Sequence, residues 1–169
     1  MFIDNIARNA KRMEELLASM RAFSLADQNA LVGEACLSDI LPDLGSRFVP
    51  MEISASGADS ALPIHVDTLR IILMHLLENA QQHGATEVTL AARCGTVGVN
   101  LTIADNGNGI SDGNRDKVLT PFFTTRRAQG GTGMGLNIVT STLDALGGTL
   151  TLLPTETGTT FKMSCKARG

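Results

Sequence analysis

Several features that mark particular protein classes are scarce or absent in this chain. It has no tryptophan and no tyrosine, so an aromatic platform that stacks nucleic-acid bases is not expected. No apolar run approaches the roughly 18–20 residues that cross a bilayer, and no charged-then-apolar leader opens the chain. These absences predict no membrane contact by this segment and a cytoplasmic location. The three cysteines, Cys36, Cys94 and Cys165, form no CxxC pair, which favours reduced thiols over disulfides or zinc ligands.

What is present is typical of a globular domain. The chain has 169 residues, of which 43% are hydrophobic and 18% charged, and only 5 are proline. This length suits one domain, or one domain with a short appendage. The net charge of −3 argues against a dominant nucleic-acid surface.

Residues 1–24 are the most periodic part of the chain. Their apolar residues recur alternately three and four positions apart, which is the seam of a helix that packs lengthwise on another helix. These residues are Ile3, Ile6, Ala10, Met13, Leu17 and Met20. The pattern predicts a homodimer through this helix, the alternative being a helix folded onto its own domain. The polar residues 25–30 predict a linker, and 31–169 the main domain.

The sequence of the main domain predicts helices that alternate with hairpin strands. Apolar periodicity predicts helices over 40–48, 68–83 and 136–146, and strands over 51–54, 62–66, 86–92, 97–104, 149–153 and 160–165. Asp67 is the predicted N-cap of the second helix, and Gly95-Thr96 the predicted hairpin turn. The fold class is therefore α+β, a two-layer sandwich with helices on one face of a mixed, mostly antiparallel sheet.

Two segments carry polar groups suited to a ligand. His75, Asn79 and His83 are spaced four apart, so they share one stripe of the predicted helix, and the Asn79 carbonyl oxygen suits Mg²⁺ held mainly by phosphates. Asp105 follows an apolar strand and precedes Gly107 and Gly109. A carboxylate there can accept a hydrogen bond from an exocyclic amine while the backbone passes close to a flat ring. The alternatives are a solvated helix face and an Asp-rich turn.

Two further segments are loops with possible anion contacts. Residues 120–126, TPFFTTR, place two phenylalanines before Arg126 and Arg127, which suits the root of a mobile lid or a loop base in the core. Residues 130–135, GGTGMG, run into the last predicted helix, where backbone N–H groups and the helix dipole favour oxyanions. No Gly-Lys-Ser/Thr follows, and no first strand of a βαβ unit precedes, so this is neither a Walker nor a Rossmann loop.

Together, in this order and spacing, the four segments resemble the N, G1, F and G2 boxes of the GHKL ATPase superfamily. HLLENAQQHGA resembles the N box, and DNGNGI resembles the G1 box. TPFFTTR resembles the F box, and GTGMGLNIV resembles the G2 box. The resemblance is specifically to the catalytic ATP-binding domain of bacterial sensor histidine kinases, and it covers about 31–163. It implies a Bergerat-type fold, with residues 1–24 as the second helix of the dimerisation and phosphotransfer hairpin.

The resemblance implies a set of residue roles. Asn79 would coordinate the Mg²⁺ that bridges the ATP phosphates, Asp105 would bind the adenine amino group, and Arg126 would reach toward the phosphates. The other implied nucleotide contacts are His83, Gly107, Gly109, Ile110, Phe123, Gly131, Thr132, Gly133, Met134, Gly135 and Leu136. Phe122 and Phe123 would anchor the lid. Gln82 and His83 replace a Lys and an aromatic ring that are common in the family.

His75 stands where the hydrolysing branches of the superfamily have a glutamate that activates water. A second-shell or phosphate-side role for His75 is favoured, because the nucleophile of a histidine kinase is an imidazole of the protein. Glu78 is expected to face solvent, the alternative being the Mg²⁺ shell. No histidine lies in a His-Glu/Asp-x-Arg-x-Pro-like sequence, so the phosphoacceptor helix is expected elsewhere. A response regulator is the implied downstream partner.

Three other interpretations stay open at this point. An anti-sigma-factor serine kinase of the same superfamily is the first, although His75 and the coiled-coil-like helix argue against it. A hydrolysing module of the gyrase or mismatch-repair type is the second, although it needs the missing glutamate and a following transducer domain. The third is a degenerate module that uses its helix only to dimerise.

Overall fold

A computed structural model of the protein describes residues 33–95 and 98–166. The predicted N-terminal helix, the linker and Thr96 of the predicted turn lie outside the described residues. Within them, the helices are α1 (Leu41–Arg47), α2 (Val66–Gln82), α3 (Asp112–Arg115) and α4 (Gly135–Ala145). The strands are β1 (Glu52–Ser56), β2 (Glu87–Cys94), β3 (Gly98–Asp105), β4 (Thr149–Leu153) and β5 (Thr159–Lys166). Short 3-10 turns span Leu37–Asp39 and Arg127–Gln129.

The five strands form one mixed sheet in the order β1-β2-β3-β5-β4. β1 runs parallel to β2, whereas the β2–β3, β3–β5 and β4–β5 pairs are antiparallel. In the antiparallel register Val88 faces Asp105 at one end of the sheet, and Cys94 faces Val99 at the other. This confirms the prediction of an α+β domain with a mostly antiparallel sheet.

Side chains alternate between buried and accessible along the central strands, as a sheet covered on one face requires. On the covered side, α2 packs against α4, and α4 packs against β4. The side chains that fill this core with essentially no exposure include Leu69, Ile72, Leu73, Leu77, Leu90, Leu101 and Leu143. Burial of this apolar surface is the main force that holds the two layers together.

The start of α2 corrects two predictions. The predicted strand over 62–66 is wrong, because Leu62 makes only an isolated bridge with Ala35 and the helix already begins at Val66. The N-cap is His65 and not Asp67, since the His65 imidazole Nδ1 accepts a hydrogen bond from the Asp67 backbone N–H at 3.3 Å. Asp67 instead lies in the first turn, where its carboxylate pairs with Arg70 at 2.6 Å.

Candidate functional site

The polar stripe of α2 lies between the buried core and solvent. His75, Asn79 and His83 are each half-buried, while Leu76, Leu77 and Ala80 on the core side are buried. The side-chain amide of Asn79 makes no hydrogen bond with the part of the chain that the structure describes. One turn before it, the imidazole Nδ1 of His75 lies 3.7 Å from Oε2 of Glu78, and Glu78 is 44% exposed. The Asn79 amide is therefore half-buried, has an imidazole one helical turn away on either side, and remains able to bind a ligand.

Asp105 is fixed at the end of β3 by its own carboxylate. Its Oδ1 accepts hydrogen bonds from the backbone N–H groups of Gly107, at 2.9 Å, and of Thr159, at 3.1 Å. Among the described residues, none donates to Oδ2. The two backbone bonds orient the carboxylate, because both donors belong to rigid backbone, and one oxygen remains able to accept a hydrogen bond from a ligand.

Close backbone contacts explain the glycines that follow Asp105. A Cβ at Gly107 would lie 2.9 Å from the carbonyl oxygen of His83, so the loop presses against the end of α2. At Gly109, φ is +70° and a Cβ would lie 2.8 Å from the carbonyl oxygen of Gly158. Ile110 follows, partly buried against the core. These contacts join the loop over 105–110 to α2 on one side and to the start of β5 on the other.

The segment that carries the two phenylalanines differs from its prediction. Phe122 has a positive φ of +64° and is 59% exposed, so the expectation that it anchors the segment by burial is wrong. Phe123 is half-buried. The backbone N–H of Phe122 donates to the carbonyl oxygen of Gly133 at 3.1 Å, and Arg127 donates to the carbonyl oxygen of Phe122 at 3.2 Å. Main-chain bonds therefore hold this segment.

The glycine-rich loop packs directly on that segment. A Cβ at Gly133, where φ is +71°, would lie 2.5 Å from the carbonyl oxygen of Phe123. A Cβ at Gly131 would lie 2.7 Å from the hydroxyl oxygen of Thr124, and the Gly131 N–H donates to the carbonyl oxygen of Arg126 at 2.9 Å. Glycine is required at Gly133, where φ is positive and the neighbouring atoms are backbone, whereas a side chain at Gly131 would displace the Thr124 hydroxyl.

The loop ends at the start of α4, above His75. Met134 is the buried N-cap residue and supplies no side-chain cap; its own N–H points to the hydroxyl of Thr132 at 3.4 Å. The first turn of α4 carries no acidic residue. A Cβ at Gly135 would lie 3.7 Å from Nδ1 of His75, and Leu136 packs partly against the core. The amino end of α4 thus keeps N–H groups and a positive dipole end for an anion.

These contacts link the four segments in series, from the loop over 105–110 through α2 to the glycine-rich loop over 130–135 and the segment over 120–126, and we call this set of residues the contact ring. His83 is the joint between its two sides: its carbonyl oxygen accepts a hydrogen bond from the N–H of Asn108 at 3.0 Å. Burial first, and then the positive charge of Arg126, lower the pKa of the His83 imidazole, while the carboxylate of Asp105 acts in the opposite direction. The end of α2 thus contacts the loop of Asp105 and lies within electrostatic range of the lid arginine.

Asn106 and the turn before β5 contribute to this region without having been predicted. The Asn106 side-chain oxygen accepts from the backbone N–H groups of Thr86 and Glu87 at 2.8 and 3.0 Å, and its nitrogen donates to the Thr86 hydroxyl. A Cβ at Gly158 would overlap the carbonyl oxygen of Asp105. The sequence signal for Asn106 was its place directly after a strand end; Gly158 offered only a Thr-Gly turn.

Comparison with known proteins identifies this arrangement. Residues 64–169, well over half of the chain, match the family described as histidine kinase-, DNA gyrase B- and HSP90-like ATPase. The chain belongs to this ATPase family. The match spans all four segments of the contact ring, so the chain contains the catalytic ATPase module of the family.

Curated relatives of this ATPase domain include sensor histidine kinases. The chain is 31% identical over 166 residues to the sensor histidine kinase ZraS of Escherichia coli (strain K12), covering 95% of this chain and 35% of that protein. It is 28% identical over 159 residues to the sensor-type histidine kinase PrrB of Mycobacterium tuberculosis (strain H37Rv), covering 89% and 36%. The chain thus spans about a third of the length of these relatives.

Solved structures of histidine kinases share the fold of this ATPase domain. The histidine kinase AdeS of Acinetobacter baumannii superposes with a TM-score of 0.72 at 17% identity, over 99% of this chain and 84% of that one. The ATP binding domain of PrrB from Mycobacterium tuberculosis gives a TM-score of 0.64 at 24% identity, over 82% and 98%. Both likenesses confirm the two-layer fold class.

Within 33–95 and 98–166, none of the helices combines the length and apolar character that crossing a bilayer requires. In the same residues, no cluster of three or more His, Cys, Asp or Glu side chains has the arrangement of a metal site.

Proposed function

We propose that this chain is the ATP-binding kinase domain of a two-component sensor histidine kinase. In this role it binds Mg-ATP and transfers the γ-phosphoryl group to a histidine on a helical partner segment. The observation that carries the proposal is that the loop of Asp105, which leaves one carboxylate oxygen to accept, binds the end of α2 at His83, whose imidazole also senses the positive charge of Arg126. It supports one ligand held between a strand-end carboxylate and a cationic lid.

Asp105 is the residue proposed to select the base. Its Oδ1 is occupied by two backbone donors, so Oδ2 is left to accept a hydrogen bond from the adenine amino group. Gly107 and Gly109 keep the loop flat beside the ring, and Ile110 supplies an apolar contact. His83, whose lowered pKa favours the neutral imidazole, lines the nucleoside without adding charge.

The phosphates are proposed to lie toward the glycine-rich loop and α4. Backbone N–H groups of Thr132, Gly133 and Gly135 suit anionic oxygens, Gly131 shapes the loop while its own N–H donates to the carbonyl oxygen of Arg126, and the uncapped amino end of α4 adds a favourable dipole. Arg126 supplies a positive charge from the lid, and Phe123, Met134 and Leu136 supply its apolar base. His75 supports the first turn of α4 from below, through the close approach to Gly135.

Asn79 is the proposed Mg²⁺ ligand. Its amide oxygen is a hard ligand atom, and the residue is half-buried. On α2 it lies between His75, next to the start of α4, and His83, next to the loop over 105–110. When bound, Mg²⁺ neutralises phosphate charge during phosphoryl transfer, and the residues of this chain then act by positioning and electrostatics.

The acceptor histidine is proposed to lie on another segment. The chain has three histidines. His65 caps α2, and His75 and His83 belong to the contact ring. We therefore propose that residues 33–166 bind nucleotide but do not phosphorylate themselves. A homodimer through residues 1–24, an acceptor helix and a response regulator complete the proposed assembly.

Calorimetric titration with a non-hydrolysable ATP analogue tests the nucleotide site. We expect binding that weakens at least about 10-fold when Mg²⁺ is omitted, and an Asn79→Ala variant that has lost this Mg²⁺ dependence. Gln81→Ala, an exposed change on the same helix, is the matched control and leaves both values unchanged. Absence of binding by the unaltered chain would reject the proposed site.

Phosphotransfer is tested with labelled ATP and a separately supplied helical acceptor domain of a sensor kinase. The expected product is acid-labile, base-stable phosphate on the acceptor and none on this chain. Phosphate on this chain would overturn the assignment of its histidines, and acid-stable phosphate on a serine of the acceptor would favour a serine kinase.

A further inference from the structure

Asn106 lies between Asp105 and one of the two groups that hold its carboxylate. The Oδ1 atom of Asp105 accepts from the N–H groups of Thr159 and Gly107. The Thr159 donor belongs to β5, whereas the Gly107 donor belongs to the peptide unit that joins Asn106 to Gly107. The backbone torsion angles of Asn106 therefore aim this N–H at the carboxylate. One donor fixes where the carboxylate lies, and two together fix the direction in which Oδ2 points.

The side chain of Asn106 is held by the start of β2. Its Oδ1 accepts from the backbone N–H groups of Thr86 and Glu87 at 2.8 and 3.0 Å, and its Nδ2 donates to the Thr86 hydroxyl at 2.9 Å. Its own backbone N–H donates to the carbonyl oxygen of Glu87 at 3.2 Å. Both lone pairs of Oδ1 are thus occupied. The Asn106 side chain is bound to the protein and not offered to a ligand, although the residue is exposed.

The Thr86 hydroxyl fixes which way the Asn106 amide faces. An asparagine amide has an acceptor side and a donor side, and each must meet a matching neighbour. The two backbone N–H groups at the start of β2 require the oxygen, and the Thr86 hydroxyl gives the nitrogen an acceptor. Thr86 is itself joined to β1, because its carbonyl oxygen accepts from the N–H of Glu52 at 2.8 Å. The support of Asn106 is therefore the sheet.

These contacts lead in sequence to the Asp105 carboxylate. The start of β2 holds Asn106, Asn106 aims the N–H of Gly107, and this N–H orients Asp105. Without the Asn106 amide, Asp105 would keep its bond to Thr159 and stay in place, but its Oδ2 would be free to turn. A hydrogen bond weakens steeply once its angle falls below about 120°. Selection of a ligand amine should therefore depend on Asn106 more than the fold does.

We infer that Asn106, oriented by Thr86, is a positioning residue for the base selectivity of the nucleotide site. It does not touch the ligand and acts through Gly107 and Asp105. The selectivity rests on the proposed function, because only a bound nucleobase reveals it. The orientation of Asp105 does not rest on that function, and it can be measured in the chain without a ligand.

Amide hydrogen exchange, followed by NMR in the chain without a ligand, tests the orientation. In Asn106→Ala we expect the Gly107 N–H to exchange at least about 10-fold faster, and that of Thr159 to stay within about twofold, because it belongs to the sheet. Asn100→Ala is the matched control, since it removes an amide that accepts from the Ser164 hydroxyl at 2.7 Å near the other end of β3. It should leave both exchange rates unchanged.

Two outcomes of this measurement would overturn the inference. The first is an unchanged exchange rate of the Gly107 N–H in Asn106→Ala. The second is equal acceleration at Gly107 and Thr159, which would show a general loosening of the strand ends instead of a lost orientation.

Calorimetry tests the selectivity by comparing an ATP analogue with its counterpart that carries an oxo group in place of the amino group. Asn106→Ala should reduce the preference for the amino form about 10-fold, through weaker binding of that form. Asn106→Asp should keep the preference within about twofold, since its carboxylate accepts the same backbone N–H groups and the Thr86 hydroxyl can turn to donate. Rescue by aspartate would separate positioning from simple loss of side-chain packing.

Thr86→Val removes only the acceptor of the Asn106 nitrogen, so we expect a smaller reduction of the preference, of about threefold. Thr89→Val is its control, because it removes a hydroxyl from the same strand that contacts the Ser54 hydroxyl at 3.2 Å. An unchanged preference in Asn106→Ala would overturn the inference and leave nucleotide binding intact. If the unaltered chain bound neither analogue, the proposed function and the selectivity would both be rejected, whereas faster exchange at Gly107 would still establish that Asn106 orients Asp105.

Discussion

The two sides of the contact ring are held by different kinds of interaction. On the Asp105 side, the bonds reach far along the chain: the Asp105 carboxylate binds the N–H of Thr159, 54 residues later. On the lid side, Phe122 binds Gly133 and Arg126 binds Gly131, all within one short segment. The first side is part of the sheet, whereas the second is a loop closed on itself.

This difference indicates which half of the site is already ordered before a ligand binds. Moving Asp105 disturbs β3 and β5 together, because their backbones approach too closely to shift independently. Moving the lid disturbs hydrogen bonds that are local to the lid and the glycine-rich loop. Local contacts open at a lower free energy than contacts that belong to the core. The Asp105 side is thus rigid, and the lid side can rearrange.

The largest effect is expected from Gly158→Ala. A Cβ there overlaps the carbonyl oxygen of Asp105, and the positive φ of +65° strains any other residue. We expect a loss of about 3 kcal/mol or more in the free energy of unfolding, measured by urea denaturation.

Gly113→Ala is the control, because a Cβ at that position in α3 meets nothing within 4 Å. Its free energy of unfolding should change by less than about 0.5 kcal/mol. Equal losses in the two variants would show that the turn before β5 does not fix Asp105.

Asp105→Asn separates the role of Asp105 in folding from its role in binding. The amide keeps an oxygen for Gly107 and Thr159 but presents an N–H₂ group where Oδ2 was, so a ligand amine meets a donor. We expect stability to fall by about 1 kcal/mol or less and affinity for an ATP analogue to fall about 100-fold, measured by calorimetry.

An analogue that carries an oxo group in place of the adenine amino group tests the same contact from the ligand side. It should bind the unaltered chain poorly and recover part of its affinity with Asp105→Asn, since donor and acceptor are then matched again. Unchanged preference for the amino form would contradict the proposed role of Asp105.

Phe122→Gly tests the lid side, and its expected effect on the free energy of unfolding has the opposite sign. Glycine adopts φ of +64° without strain, and the exposed ring contributes little burial. We expect the free energy of unfolding to stay the same or rise by up to about 1 kcal/mol, whereas Phe123→Ala, at the half-buried neighbour, lowers it. A clear loss of stability in Phe122→Gly would show that the ring packs against something essential.

Arg126→Gln gives the smallest effect, on the titration of His83. Removing the positive charge should raise the pKa of His83 toward its ordinary value near 6.5, although burial still lowers it, and NMR titration measures the change.

The sign for stability follows from the same shift. In the unaltered protein the unfolded chain binds this proton more readily, so stability falls as the pH drops below about 6.5, and the variant should lose less there. No change in the titration would place Arg126 away from His83.

The helices and strands were largely predictable, because each follows from a local pattern of apolar residues in the sequence. The strand over 149–153 has the predicted bounds, and the last helix differs from its prediction by one residue at each end. The wrong strand over 62–66 has a physical cause. A short apolar run before a helix can form either a strand or a single β-bridge. Only the long-range pairing with Ala35 shows that it forms a bridge.

The candidate site was predictable only in part. The four segments were recognisable together, but the contacts that join them are long-range. Gly158 is needed because Asp105 lies against it, and nothing near Gly158 in the sequence records that. The exposure of Phe122 was equally hidden, because its positive φ depends on the approach of Gly133 eleven residues later.

The seventeen residues of α2 form a rod about 25 Å long. Its first end carries His65, over which the backbone of Gly33 passes so closely that a Cβ there would lie 3.1 Å from the histidine Cα. Its last end carries His83, whose carbonyl oxygen binds the loop of Asp105 through Asn108. A displacement of the backbone at Gly33 would therefore act on one end of a stiff rod whose other end is the one proposed to lie beside the nucleobase.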